Sequence, residues 1–467
     1  MKNEKLKSNP ILSNRLSQPQ PDLVGLRALV VGMGESGTAA ASLLLHEGAQ
    51  VVAYDANPQK AVELQSVWEP RGVSILTGTL APMEGIDLCV ISPGVPPRGA
   101  FFDWLHESQI PLLGEMELAC RFLSRPVLAV TGTNGKTTVV SMIHHILQQL
   151  GQNPTLAGNV GYPVAAVAQH EERTGQAPLV LEVSSYQCET FCQFKAEAAV
   201  ITNLAPDHLD RYANTREYYK TKFQIVINQT EKNSLWMGSR VEGDCPDWVL
   251  SKKRSFAIDT LAPTGIFYKD RTVILRDDPR EEGLPWASFQ SKLPQYILNA
   301  LAAVGVVTSI GVPLADALNA LESFVSLPHR LEYVAEVNGI RCYNDSKATN
   351  VHALEAALHS VPAPILLIAG GRPKGDPLAS LAPLIQEKVK KVYLLGEAKD
   401  LFAEAWTPLT AVQLVDSLEE AVALGLKEGC PGDHLLLSPA CASWDMFKNY
   451  QERGERFKEA VKGRMDV

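Results

Sequence analysis

"AVTGTNGKTTVV", residues 129–140, decides the architecture of this chain. An apolar, strand-like run stops at Thr131, a glycine-rich turn follows, and a helix-compatible run begins after Gly135. The regular P-loop pattern puts its first glycine at the position held here by Val130, so this loop is shorter, with glycines at 132 and 135. Its parts are still those that phosphate binding needs. Backbone N–H groups from Gly132, Thr133, Asn134, Gly135 and Thr138 can cradle phosphates, Lys136 supplies a mobile cation, and Thr137 offers a hydroxyl to Mg²⁺. The turn is expected to hold ATP.

Working outward, "PLVLEVSSYQ" reads as a buried strand carrying Glu182, and "AAVITNLAPDHLDRY" as another that runs into His208 and Asp210. In an open parallel sheet, ligands lie off the carboxyl ends of the strands, where these groups and the P-loop would converge. A carboxylate and an imidazole there suit a divalent cation. The following "TREYYKTKFQIV" has helical spacing, and by composition alone Lys222 is an ordinary solvated lysine.

Upstream, "RALVVGMGESGTAAASLLLHEGAQVVAYDANP" places Gly32-x-Gly34-x-x-Gly37 between a strand and a helix, with Asp55 about 20 positions on. Such a turn binds a dinucleotide or another phosphate, so this block alone would also suit an NAD(P)-dependent dehydrogenase. Downstream, a third block again alternates strands and helices. Its Asn344–Asn350 stretch packs polar and small residues at a probable strand end, and Gly370–Gly375 after "ILLIA" looks like an anion site. Arg330, Lys347 and Lys374 supply cations there.

The 467 residues suggest about three domains at roughly 100–200 residues each. A formal charge of -9 argues against a general nucleic-acid binder. The polar, Pro-rich first 23 residues lack a signal-peptide core and read as a disordered leader. No apolar run is long enough for a membrane span, and eight scattered cysteines without a CxxC pair read as reduced thiols, with no metal site at Cys188 and Cys192. A cytoplasmic monomer is expected. The fold expected is α/β in three domains: a Rossmann-like domain over 24–120, a P-loop mononucleotide-binding domain over 121–327, and a Rossmann-like domain over 328–467.

Six segments, "TGTNGKTT", "LEVSSYQ", "NLAPDHLDRY", "LPHRLE", "NDSKATN" and "LSPACASWDMFKN", occur in an order and spacing that resemble the Mur ligases. The resemblance covers residues 24 to 460, and the NDSKATN and SPACASWD segments resemble the member of the family that adds D-glutamate. It implies an ATP-dependent amide ligase of peptidoglycan synthesis acting on UDP-N-acetylmuramoyl-L-alanine and D-glutamate through an acyl phosphate. A sibling ligase of the Mur or folylpolyglutamate-synthase type would share the P-loop and metal residues but take another amino acid and acceptor.

By resemblance, Thr137 and Glu182 hold a first Mg²⁺ and His208 a second, supported by Lys222 as an N-carboxylated (carbamylated) lysine. Only a neutral amine reacts with CO₂, and desolvation with a nearby cation would favour that form. Asn159 matches a residue near the reacting groups, and Asn299 an adenine contact. Arg330 and Asp345 match residues holding the ribose and phosphates of ATP, with Lys347 and His329 in the same cleft. D-glutamate would be held by Thr349, Lys374, Ser443, Trp444 and Tyr450. Ser36, Asp55 and Ser92 match the region that binds the UDP moiety, so the first glycine-rich turn would grip uridine diphosphate instead of NAD. Two positions depart from the pattern: Ala56-Asn57, where a relative has Thr-Arg, and Gln295-Tyr296 in place of a His-Asn pair. Domain closure around the substrates is expected.

Overall fold

The computed structural model describes residues 21–464, apart from 171–172, 239, 278, 287–292, 374 and 376. Short runs of Val, Ile, Leu and Ala alternate with helices, and this alternation forces crossover connections and parallel strands. The first sheet contains β1 (Arg27–Val31), β2 (Gln50–Tyr54), β3 (Ser74–Leu76), β4 (Leu88–Ile91) and β5 (Leu112–Gly114). All its pairings are parallel, in the order β3-β2-β1-β4-β5.

The second sheet holds β6 (Val127–Thr131), β7 (Thr155–Gly158), β8 (Leu179–Glu182), β9 (Ala198–Ile201), β10 (Ser234–Gly238), β11 (Lys252–Ile258), β12 (Thr264–Lys269), β13 (Thr272–Asp277) and β14 (Arg280–Pro285). Its order is β14-β13-β12-β11-β10-β9-β6-β8-β7. Strands β6, β8 and β9 are buried at every residue, as a parallel sheet covered on both faces requires. Only β13 runs against the others, so its pairings with β12 and β14 are the antiparallel ones, and β14 is an edge strand that is almost wholly exposed.

The third sheet contains β15 (Glu332–Val337), β16 (Ile340–Asn344), β17 (Ile365–Gly370), β18 (Val389–Leu395), β19 (Ala411–Leu414) and β20 (His434–Leu437). The order is β15-β16-β20-β17-β18-β19, with β15 antiparallel and the rest parallel. The α/β class and three sheets agree with expectation.

The three blocks form two compact units. One comprises the chain up to Leu204 with His208–Pro285 and Ala300–Glu322; the other comprises Ala205–Asp207, Trp286–Asn299 and the chain from Ser323 onward. The first two sheets share a unit because one apolar cluster runs through both. The helix Glu35–His46 packs on the helix Val164–His170, and Arg173 pairs with Glu47 beside that contact. Glu117, fully buried on the helix Glu115–Cys120, accepts the N–H groups of Cys192, Gln193 and Phe194 and both forks of Arg121.

Two boundaries differ from the sequence expectation. Leu23, the end of the expected leader, is buried in the first core; residues 1–20 lie outside those described. Asn299 groups with the third sheet's unit although it was placed in the 121–327 block, because the unit boundary falls within the helix Pro294–Ser309. None of the eight cysteines forms a disulfide. Among the described residues, no helix is long and apolar enough to cross a membrane.

Candidate active site

The P-loop leaves β6 at Thr131 and enters the helix Lys136–Gln149 through Gly135, whose φ of 85° is left-handed. Gly132 has φ +135°, and a Cβ there would meet the Thr202 hydroxyl at 2.0 Å, so only glycine fits. The loop is pinned to the end of β9. Thr133 N–H donates to the Asn203 carbonyl, Asn134 N–H donates to Asn203 Oδ1, and Thr202 Oγ1 donates to the Asn134 carbonyl at 2.6 Å. Gly135 brings no side-chain cap, which keeps the helix N-terminus available to an anion. Lys136 Nζ folds back onto the carbonyls of Gly132 and Thr133, at 3.0 and 2.7 Å.

Glu182 ends β8, in register with Val130 of β6 and Gly158 of β7. It is 2 % exposed; Oε1 accepts from Asn159 Nδ2 at 2.7 Å, whereas Oε2 is buried without a hydrogen-bond partner. Lys222 corrects its composition-based reading. It closes the helix Thr215–Lys222 at 1 % exposure, its Nζ donating to the Gly132 carbonyl at 2.9 Å and lying 4.5 Å from the centre of the Tyr218 ring. Tyr218 also faces His208, with ring centres 6.0 Å apart. His208 has φ +56°, and its Nδ1 shares a 2.8 Å hydrogen bond with the Tyr186 hydroxyl. The structure thus brings P-loop, Lys222 and His208 into one contact chain, with Glu182 on the neighbouring strand. Tyr186 lay within a quoted motif without being singled out.

In the first block, Gly37 closes the turn. A Cβ on it would lie 1.9 Å from the Gly32 carbonyl, and Ser92 Oγ donates to that same carbonyl at 2.6 Å. Asp55 ends beside this turn, accepting N–H bonds from Met33 and Asn57 and an ammonium bond from Lys60 at 3.0 Å. Desolvation pulls its carboxyl upward, but Asn57, Lys60 and Met33 together hold it below the ordinary range. Lys60, one turn into the next helix, puts a cation where the sequence shows Ala56-Asn57. Ser36 lies in the first turn of the helix that follows the glycines. A cleft lined by Ser92, Val95, Glu115, Tyr186, Glu189 and Arg211 opens between the first two blocks.

In the second unit, Asp345 follows β16. It accepts from the Leu331 N–H and the Ser438 hydroxyl, and burial pushes its carboxyl up to about 7. Lys347 Nζ stands 4.0 Å over the Tyr450 ring, and Lys347 N–H donates to the His329 carbonyl. Burial pushes His329 below the ordinary imidazole range against the pull of Glu332 and Glu455. Arg453 Nε donates to Ser346 Oγ, and its Nη2 to the carbonyls of Ser346 and Cys441, which joins the loops after β16 and β20. Thr349 and Arg330 are half-buried, Ser443 is buried, and Trp444 is 67 % exposed. Asn299 accepts from Gln295 Nε2 at 3.3 Å, so Gln295 itself engages the expected adenine contact. Lys374 lies outside the described residues.

Two family patterns match this chain: the Mur ligase middle domain over residues 130–242, and the Mur ligase, glutamate ligase domain over residues 329–441. The chain is 37 % identical over 450 residues to UDP-N-acetylmuramoylalanine--D-glutamate ligase of Geotalea uraniireducens, covering 94 % of this chain and 98 % of that one. The chain belongs to the Mur ligase family. The enzyme of the same name from Caldicellulosiruptor saccharolyticus is 37 % identical over 464 residues, covering 94 % and 99 % of the two chains. The fold is also that of solved Mur-type ligases. MurF from Acinetobacter baumannii superposes with a TM-score of 0.58 at 15 % identity, covering 94 % of this chain and 93 % of that one. A pseudomurein peptide ligase type C from Methanothermus fervidus gives 0.57 at 16 %, covering 94 % and 100 %.

Mur ligases form amide bonds at the expense of ATP and use Mg²⁺. The residues of this Mur ligase fit such an ion. Mg²⁺ is usually held by one or two carboxylates together with substrate phosphates. The buried, unpartnered Oε2 of Glu182 supplies such a ligand on the strand next to the P-loop. Among the described residues no three His, Cys, Asp or Glu side chains gather into a cage.

Proposed function

We propose that this chain joins D-glutamate to UDP-N-acetylmuramoyl-L-alanine, using ATP, in peptidoglycan precursor synthesis. Likeness to the named D-glutamate ligases over nearly the whole of both chains carries this reading. The γ-phosphoryl group of ATP passes to the alanyl carboxylate, giving an acyl phosphate and ADP. The D-glutamate amine then attacks the acyl carbon, the C–O bond to phosphate breaks, and the amine loses a proton. Phosphoryl transfer demands positioning and charge neutralisation more than covalent chemistry. Lys136 and the N–H groups of residues 132–138 supply both.

Bound Mg²⁺ would neutralise charge on the transferring group; Thr137 and Glu182 would hold one ion, and His208 and carbamylated Lys222 a second. Asn159 fixes Glu182 through its 2.7 Å bond. Lys222, buried beside the P-loop, would react as its neutral amine, adding CO₂ to give an N-carboxylate and a proton. Ser36, Asp55 and Ser92 would serve the UDP moiety. Asn299, Arg330, Asp345, Lys347 and His329 would serve ATP, and Thr349, Lys374, Ser443, Trp444 and Tyr450 D-glutamate. We place the enzyme in the cytoplasm as a monomer, where its nucleotide substrates are made.

The test is phosphate release by purified protein with Mg-ATP and UDP-N-acetylmuramoyl-L-alanine, with and without D-glutamate. Phosphate only when all are present, with a product heavier by one glutamyl residue, is expected. Release that requires another amino acid or acceptor would keep the ligase chemistry and overturn the substrate assignment.

A further inference from the structure

Tyr186 and Arg211 have no part in the reaction as described, yet they are arranged around His208. The Tyr186 hydroxyl lies 2.8 Å from His208 Nδ1, and the two rings pack with centres 5.0 Å apart. The Tyr186 ring is itself held. The Arg211 guanidinium sits 4.2 Å from its centre and grips Glu189 with two bonds, Nε to Oε1 at 2.9 Å and Nη2 to Oε2 at 2.6 Å. Arg211 and Glu189 side chains are 7 % and 14 % exposed, so this pair is shielded from solvent, and a fork of this kind fixes direction as well as distance. Arg211 Nη2 also reaches the Val95 carbonyl at 3.3 Å, in the loop that begins with Ser92. The hydroxyl of Tyr186 is therefore held in place from both the first and the second block.

We propose that Tyr186 is a positioning residue for His208: its hydroxyl oxygen accepts the Nδ1 hydrogen, fixing the tautomer whose Nε2 lone pair is available to a divalent cation. A histidine that ligates a metal through one nitrogen is oriented by the partner of the other, and such partners commonly change metal affinity by about 10- to 100-fold. The left-handed backbone at His208 adds to the case, since a strained residue keeps its geometry only when its surroundings hold it. Arg211 acts one step further out, by seating the Tyr186 ring. The proposal rests on the reading of His208 as a metal ligand.

Tyr186→Phe keeps the ring and removes the hydroxyl. Two readouts apply: Mn²⁺ binding by paramagnetic resonance with a non-hydrolysable ATP analogue, and histidine ¹⁵N spectra of the metal-free protein at pH 8, with His208 assigned by its loss in His208→Gln. The expected result is Mn²⁺ binding weakened about tenfold, a His208 proton that moves off Nδ1, and an unchanged thermal midpoint. Unchanged binding, or weakened binding with the tautomer unmoved, overturns the proposal. His208→Ala is the control: if it binds Mn²⁺ as the parent does, the metal-ligand reading fails first and takes this inference with it. Should Tyr186→Phe lose its fold, Arg211→Lys decides, with weaker Mn²⁺ binding expected because lysine cannot reproduce the fork to Glu189, and an unchanged value overturning the role of Tyr186.

Discussion

Lys222 and Glu115 show how burial assigns work to single residues. A lysine at 1 % exposure whose ammonium meets a backbone carbonyl and a tyrosine face is an expensive structural choice, because taking a charge out of water costs several kcal/mol. Modification to a carbamate, as proposed above, would give that burial a purpose. Lys222→Ala is expected to be inactive and to regain part of its turnover with added formate or acetate; full activity without either would show that no carboxylate is needed there. Glu115 is buried beneath the helix Val164–His170, where it accepts the Ala165 N–H, and burial raises its carboxyl from 4.5 to about 7. A folded-state value above the unfolded one means that its contribution is complete below about pH 4.5 and is lost as pH rises through about 7. The loss is at most about 3 kcal/mol. Glu115→Gln keeps the accepting oxygen and should flatten the fall in urea stability between pH 5 and 8; an unchanged slope would exclude Glu115 as its source. At this scale the sequence was uneven. The place of Lys136 and Thr137 at the head of a helix was legible because a P-loop is local, and that of Asp55 beside the first glycines because its distance from them is regular. Tyr186 and Arg211 were not singled out, since their partners lie 22 and 116 positions away.

Turns and strand ends carry the site at the scale of elements. The P-loop is braced by β9 through Thr202 and Asn203, so its shape depends on a strand some 70 residues later. Gly132→Ala should therefore fail twice. It would strain a φ of +135° and drive a Cβ into the Thr202 hydroxyl, with expected losses of more than about 2 kcal/mol in urea stability and about tenfold in ATP affinity. An alanine variant with parental midpoint and affinity would mean that the loop yields freely. The order of strands and helices was readable because alternating apolar runs permit few connections. What the sequence left open was the bracing: nothing in "ITN" announces that its side chains receive the loop. The helix 215–222 shows the same limit, for helical spacing put Tyr218 and Lys222 on one face without saying that this face is the covered one.

For the whole molecule, the expectation of three domains met a chain that packs as two units. The sequence placed a helix after the first glycine-rich turn, but not that this helix, Glu35–His46, would pack on the helix Val164–His170. The Glu47–Arg173 pair is a single half-buried contact, whereas the cluster shared by both blocks contains several fully buried leucines, each contributing about 1.5–3 kcal/mol. The shared apolar cluster, more than Glu47 and Arg173, therefore holds these blocks together. Amide exchange in graded denaturant should find β1 and β6 opening with free energies within about 1 kcal/mol of each other; earlier opening of β1 would show that the first block unfolds alone. The second sheet has a further consequence. It ends at β14 in Arg280, Glu281 and Glu282, a short charged border on a sheet whose central strands β6, β8 and β9 are buried at every residue. Such a border discourages another chain from adding a strand. A second copy that met this border would find charge where an apolar strand would invite pairing, so this edge of the sheet is a poor template for fibres.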